Sequence, residues 1–194
     1  MSIIRAIPEA EATGIVAELY AEDIEDSGQV ESVTKVLALN PEAERAWEEL
    51  MRTITSSMDM RRYDLVTLAA ARGVKSQHCR LAYGAKSLRI FDEDQLTKIA
   101  IDYHHADLTS GEVAMMDYAE RVSQDSFNMT DADSQALRDH GFTDREIVDI
   151  TLAAAARNYL SRTIQALAVD VEIPTSLTPQ LASALTDGFT REQH

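Results

Sequence analysis

The chain has 194 residues, 45% of them hydrophobic, with 18 Lys+Arg against 33 Asp+Glu and a net charge of −15. That is enough to build a core without disulfides or metals, while the acidic balance argues against nucleic acid and anionic membrane surfaces, which attract basic patches. No stretch nears the roughly 18 apolar residues of a membrane span, the first apolar run is too short for a signal peptide, and a lone cysteine cannot close an internal disulfide, so the expected compartment is the cytoplasm.

Seven Gly and four Pro punctuate the chain sparsely. No period-two alternation marks a strand, so the expected fold class is all-α. A first helix is predicted from about Glu9 to Asp26, stopped by Ser27-Gly28. A short one follows from about Val30 to Leu39. Asn40-Pro41 then opens a helix, because Asn caps free N–H groups and Pro fits a first helical turn. Trp47, Leu50, Met51 and Ile54 recur at helical spacing along it, which predicts a buried stripe. Asp59 caps a helix through Leu65, Leu68 and Ala69, and Gly73 breaks it. Ser76 opens the next, to about Ile90, and Asp92 another, to about His104. Thr109 with Glu112 forms a capping box before Met115 and Met116. Asp131 starts a helix that Gly141 stops. Thr143 with Glu146 forms a second capping box before a long alanine-rich helix. Pro174 closes a single domain, residues 1–174. The tail, 175–194, has room for one more helix capped near Thr178, with its last residues frayed.

A weak internal repeat runs through this pattern. Asp64-Leu-Val-Thr-Leu-Ala-Ala-Ala-Arg lines up with Glu146-Ile-Val-Asp-Ile-Thr-Leu-Ala-Ala at an offset of 82 residues. The offset sets Ser76 against Asn158, Cys79 against Ser161 and Arg80 against Arg162. Only the first copy carries a thiol.

The segment from Asp64 to Tyr83 is the one that can carry chemistry. With Ser76 as N-cap, Cys79 takes the third helical position, where free N–H groups and the positive helix end favour a thiolate. Lys75, Arg80 and His78 add positive potential nearby. Cys79 and Tyr83 are four residues apart and share a face. A tight return after Gly73 would bring Asp64 to that side, roughly one turn beyond Tyr83, giving a line Cys79, Tyr83, Asp64. The competing reading makes Cys79 a small buried apolar residue.

These residues resemble the AhpD-like superfamily, which includes alkylhydroperoxidase D, carboxymuconolactone decarboxylases and peroxidase-related proteins. The family pattern is a Glu followed by C-x-x-C-x-x-x-H, with a His often preceding the second Cys. Here Asp64 stands for the Glu at the family's spacing, Ser76 for the first Cys, His78-Cys79 for the His-Cys pair and Tyr83 for the final His. The segments LTSGEVAMMDYAERVSQDSFNMTDADSQALRDHGFTDREIVDI and NYLSRTIQALAVDVE are similar to the peroxidase-related branch. The resemblance spans roughly Pro8 to Glu172. It implies an AhpD-like helical fold, a weak two-fold repeat around a helical hairpin, and a homo-oligomer, from dimer to hexamer.

With Ser76 in place of the first Cys, no intramolecular disulfide forms. The resemblance then implies a one-cysteine hydroperoxide reductase. Cys79 becomes a sulfenic acid that an external thiol reduces, His78 serves as acid/base, and Tyr83 orients the peroxide. A second reading is non-redox chemistry on a small organic acid or lactone, with Arg80, Arg162 or His78 binding the acid. A third is a catalytically lapsed oligomeric binding or regulatory protein. No cofactor and no metal are expected. The adjacent His104-His105 point about 100° apart on a helix, which suits a solvated helix end better than chelation.

Overall fold

The computed structural model of the protein describes residues 4–189. Among these residues there is no strand, and no helix is long and apolar enough to cross a membrane. The described residues divide into two units, residues 4–53 with 163–172, and residues 54–162 with 173–189. The expected fraying of the last residues falls at 190–194, outside the described residues.

The first unit begins with α1 (Ile15–Ser27) and α2 (Ser32–Leu37), followed by α3 (Pro41–Thr55). The helix expected from Glu9 is shorter than predicted. Glu9–Glu11 make one 3-10 turn, and Gly14 then takes φ +56°, a value cheap only for glycine, before α1 starts. Leu19 and Tyr20 of α1 pack with Val16, Val30 and Ala38, and Ile7 and Ala12 close the edge of this core. The Tyr20 hydroxyl donates to the Ile7 carbonyl at 2.8 Å, so its polar tip is satisfied at the rim.

The apolar stripe predicted on α3 is only partly covered. Ile54 is buried, Trp47 and Met51 are half-buried, and Leu50 stays 49% exposed. The charged side of α3 makes the polar link to α1 instead: Arg45 donates to Glu22 at 2.8 Å and reaches Glu18 at 3.5 Å. Beside it, burial first and then the Glu48 and Asp23 carboxylates push Glu44 up to about 7. An acid whose folded pKa lies above its unfolded value of 4.5 stabilises the fold below that value and loses the contribution as pH rises through 7. Glu44→Gln should therefore flatten the fall in melting temperature between pH 4.5 and 7. The effect is on the order of 1 kcal/mol after allowance for partial exposure. Parallel melting profiles in the two proteins would assign that titration elsewhere.

The second unit contains α4 (Met60–Gly73), α5 (Gln77–Ser87), α6 (Glu93–Asp102), α7 (Ser110–Asp125), α8 (Asp131–Asp139), most of α9 (Asp144–Ala166) and α10 (Pro179–Thr186). The capping residues read from the sequence hold these starts. Asp59 accepts from the Arg62 N–H at 2.9 Å and Asp92 from that of Gln95 at 2.8 Å. Glu112 and Glu146 accept from the N–H groups of Thr109 and Thr143, each at 2.8 Å. Helix α8 starts at Asp131 as predicted, behind Thr130, whose N–H donates to Asp133 at 2.7 Å.

Helices α4 and α5 form the expected hairpin, since Tyr63 near the start of α4 meets Tyr83, and Asp64 meets Ser87 at the end of α5. The return is a Schellman turn. Ser76 N–H donates to the Ala71 carbonyl and Lys75 N–H to that of Arg72, with Lys75 at φ +54° in the position usually held by glycine. Helix α7 lies along α4 and carries α8, while α10 packs on α5 and α6.

The two copies of the sequence repeat part company at this return. Where the first copy has Gly73-Val74-Lys75 and breaks, the second has Ala155-Ala156-Arg157 and α9 runs on. A Cβ at Gly73 would fall 2.6 Å from Ser123 Cβ and 2.7 Å from the Glu120 carbonyl oxygen of α7.

Thr178 caps α10 as predicted. Arg80 anchors the other end of that helix, donating to the carbonyls of Leu185 at 3.0 Å and Ala100 at 2.8 Å. Burial pulls its guanidinium down to about 10, which leaves it charged at neutral pH. A Cβ on Gly84 would fall 2.3 Å from Leu185 Cδ1, so α10 lies close on α5. Asn158 and Arg162 both donate to Ser123 of α7, to its hydroxyl and its carbonyl. His104 and His105 both face Asp102, and no group of three or more His, Cys, Asp or Glu side chains is arranged to hold a metal ion among the described residues.

Candidate active site

The Ser76 hydroxyl accepts from the Cys79 N–H at 3.4 Å and caps α5. Cys79 is thus the third residue of the helix, within reach of its positive end. Its side chain is 1% exposed. The turn that delivers it there is set by Gly73, which allows α4 to end against α7, and by Lys75, which takes the left-handed conformation.

Among the described residues the sulfur has two side-chain donors, both from α9. The Ser161 hydroxyl donates to Cys79 Sγ at 3.2 Å, and Arg157 Nη1 donates at 3.7 Å. Arg157 is itself buried, 4% exposed, and no carboxylate pairs with it among the described residues. Its Nη2 donates to the Tyr63 hydroxyl at 3.3 Å, its carbon Cζ lies 4.5 Å from the centre of the Tyr83 ring, and its Nε has no hydrogen-bond partner among the described residues. Burial pulls the guanidinium pKa down, the Tyr83, Cys79 and Tyr63 groups draw it up, and the net shift is upward. Arg157 is therefore a fixed cation whose nearest counter-charge would be a thiolate.

The Tyr63 and Tyr83 hydroxyls lie 3.1 Å apart. Arginine only donates, so Tyr63 accepts from Arg157 and has its own proton to pass on. The chain Arg157 to Tyr63 to Tyr83 then leaves the Tyr83 proton pointing onward. Burial, ahead of the Arg157 charge, pushes the Tyr63 pKa up and keeps it protonated. Cys79, Ser161, Arg157 and Tyr63 are all buried, and Tyr83 is half-buried.

The residues picked out from the sequence do not all meet. Ser76, Cys79 and Tyr83 gather at this cluster. Asp64 is wholly buried, but Ser87 donates to it at 3.2 Å and Arg89 at 3.3 Å, a turn beyond Tyr83. Burial raises its pKa, and the Arg89 charge and the Ser87 bond oppose that. His78, the neighbour of Cys79, is half-buried. Of the cations expected near the thiol, Arg80 serves α10 and Lys75 is exposed. Arg157, Ser161 and Tyr63 are the members that sequence reasoning missed. The repeat did carry a signal for two of them: at the same offset of 82, Lys75 aligns with Arg157 and Cys79 with Ser161.

No family model and no curated protein matches the sequence. Solved structures do. An AhpD-core, uncharacterized peroxidase-related protein from Ralstonia eutropha is 23% identical, with a TM-score of 0.74 over 96% of this chain and 98% of that one. A peroxidase-related protein from Silicibacter is 21% identical, also at 0.74, over 97% of each chain. The fold is AhpD-like. The debrominase Bmp8, seen with 2,3,4-tribromopyrrole, shares it at 12% identity and a TM-score of 0.77 over 98% of each chain. At such identities the likeness is one of fold. What an AhpD-like scaffold does in this chain depends on the side chains around Cys79.

Proposed function

We propose that the protein is a one-cysteine hydroperoxide reductase that works with an external thiol. The observation that carries this is the buried Arg157 guanidinium, which lacks a carboxylate and faces the Cys79 sulfur together with the Ser161 hydroxyl. Donors to sulfur stabilise a thiolate far more than a thiol, and a thiolate is the form that attacks peroxides.

In the proposed reaction the Cys79 sulfur attacks the terminal oxygen of ROOH. An S–O bond forms, the O–O bond breaks, and the leaving alkoxide takes a proton from Tyr83, which recovers it through solvent from His78, the group that took the thiol's proton, while Tyr63 stays protonated and holds the Tyr83 hydroxyl. The thiol's own proton is thus balanced by the proton in the alcohol, and Cys79 is left as a sulfenic acid. His78 is the imidazole next to the thiol in sequence and serves as the acid/base for its ionisation. One external thiol displaces water to give a mixed disulfide, and a second restores Cys79 and leaves as the disulfide. Ser76 caps the helix, and Asp64 fixes the far end of α5 through Ser87. A sulfur this buried favours small hydroperoxides.

Treating the protein with hydrogen peroxide in the presence of a sulfenic-acid-specific reagent should label Cys79 at near-stoichiometric peroxide, and Cys79→Ser should abolish thiol-dependent peroxide turnover. An unlabelled thiol at excess peroxide would remove the redox reading. Turnover of a brominated pyrrole without turnover of hydroperoxides would redirect the proposal to dehalogenation.

A further inference from the structure

Two separate observations meet at Ser161. It is wholly buried, and its hydroxyl donates to the one sulfur that carries the proposed chemistry. Beside it stands Arg157, buried and with its Nε unpartnered. The sulfur therefore receives two donors on one side, while the other groups of the cluster stand around it: Tyr63 from α4, and Tyr83 from α5 with Lys86 Nζ 5.3 Å from its ring centre. The backbone N–H of Cys79 is already engaged by Ser76. Serine at 161 thus has a polar partner in the sulfur that alanine would forgo. The position is also the repeat counterpart of Cys79, so the second copy contributes a hydroxyl where the first has its thiol.

We propose that Ser161 is a positioning residue for Cys79: its hydroxyl holds the sulfur beside Arg157 and favours the thiolate over the thiol. The proposal rests on the reading above only in taking Cys79 as the reacting atom. A neutral donor to an ionised sulfur is a charge-assisted hydrogen bond, shorter and stronger than one to a thiol. Losing it raises the cost of the thiolate and leaves that of the thiol almost unchanged. Arg157 acts on the same atom from 3.7 Å, so the two effects are coupled rather than additive.

The test uses the fact that Cys79 is the only cysteine, so any alkylation reports on it. Second-order rates with iodoacetamide are measured from pH 6 to 10 on the intact protein and on Ser161→Ala. Alanine is a good helix former and strands no buried polar group, so the variant is expected to fold. The expected result is alkylation about tenfold slower at pH 7, with the two profiles converging toward pH 10, well above the reference range of a free thiol. A merely structural role predicts the opposite: looser packing, and faster alkylation at every pH. Either that outcome or superimposable profiles would overturn the proposal. Alkylation needs no hydroperoxide. A displaced profile in a protein that turns over no peroxide would remove the reductase reading and leave the role of Ser161 standing.

Discussion

Arg157→Met should slow alkylation of Cys79 at pH 7 by about 10- to 100-fold, the value of one or two hydrogen bonds to a charged group, and yet leave the protein melting at or above the parent temperature. The first half follows from the guanidinium being a full positive charge that donates to the sulfur. The second follows from its surroundings. A buried charge costs several kcal/mol in desolvation, and Arg157 recovers only part of that through a thiol, a phenol and a ring face, with its Nε unpartnered. Exchanging such a charge for an apolar side chain of similar length is often neutral or stabilising by about 1–4 kcal/mol. Arg157→Lys should fall between, since it keeps the charge but loses the fork that spans the sulfur and the Tyr63 hydroxyl. A variant that melts far below the parent but alkylates at the parental rate would make Arg157 a structural residue and take the carrying observation away from the proposed function.

The second large effect is on stability, and it uses one chemical change at two sites. Gly73→Ala should destabilise the protein by about 1–3 kcal/mol, the cost of overpacking a close contact, or roughly 3–10 °C in melting temperature for a chain of this size. The added carbon would meet the Glu120 carbonyl oxygen at 2.7 Å, so the backbones of α4 and α7 have to part. Gly111→Ala places its carbon 3.7 Å from His140 and Phe142, which is ordinary contact. There the gain in helix propensity stands alone, and the variant should be unchanged or up to about 1 kcal/mol more stable. Thermal melts of the two variants beside the parent check both signs. Equal effects would mean that α4 and α7 are not packed as closely as the structure has them.

The helix starts were legible because capping is local chemistry. Asp59, Ser76, Asp92, Thr109, Thr143 and Thr178 each engage an N–H three residues on, and that spacing can be read from the sequence directly. The third-position placement of Cys79 and the α4–α5 hairpin follow from the same local rules. The partners of the sulfur were not legible, because Arg157 and Ser161 come from 78 and 82 residues away. An arginine in an alanine-rich helix reads as a solvated charge until the packing shows that it is buried. Asp64 marks the opposite limit. The hairpin geometry put it about one turn beyond Tyr83, where it lies, but its partners there, Ser87 and Arg89, are picked out by no motif. The stripe on α3 was visible as a pattern, but a pattern does not say how much of itself is covered, and Leu50 remains half exposed.

The anchoring of α10 bears on the order in which the protein can be finished on the ribosome. Arg80 emerges from the exit tunnel early, yet the carbonyl it donates to, that of Leu185, lies 105 residues further on. Until that segment is synthesised, the outer side of α5, with Arg80 and the notch at Gly84, has nothing to close it. The nascent chain therefore carries a buried-type guanidinium in contact with water beside the Cys79 helix from the emergence of Arg80 until that segment follows. That interval is when a chaperone would have the most to hold, and when an oxidant would find the thiol least protected.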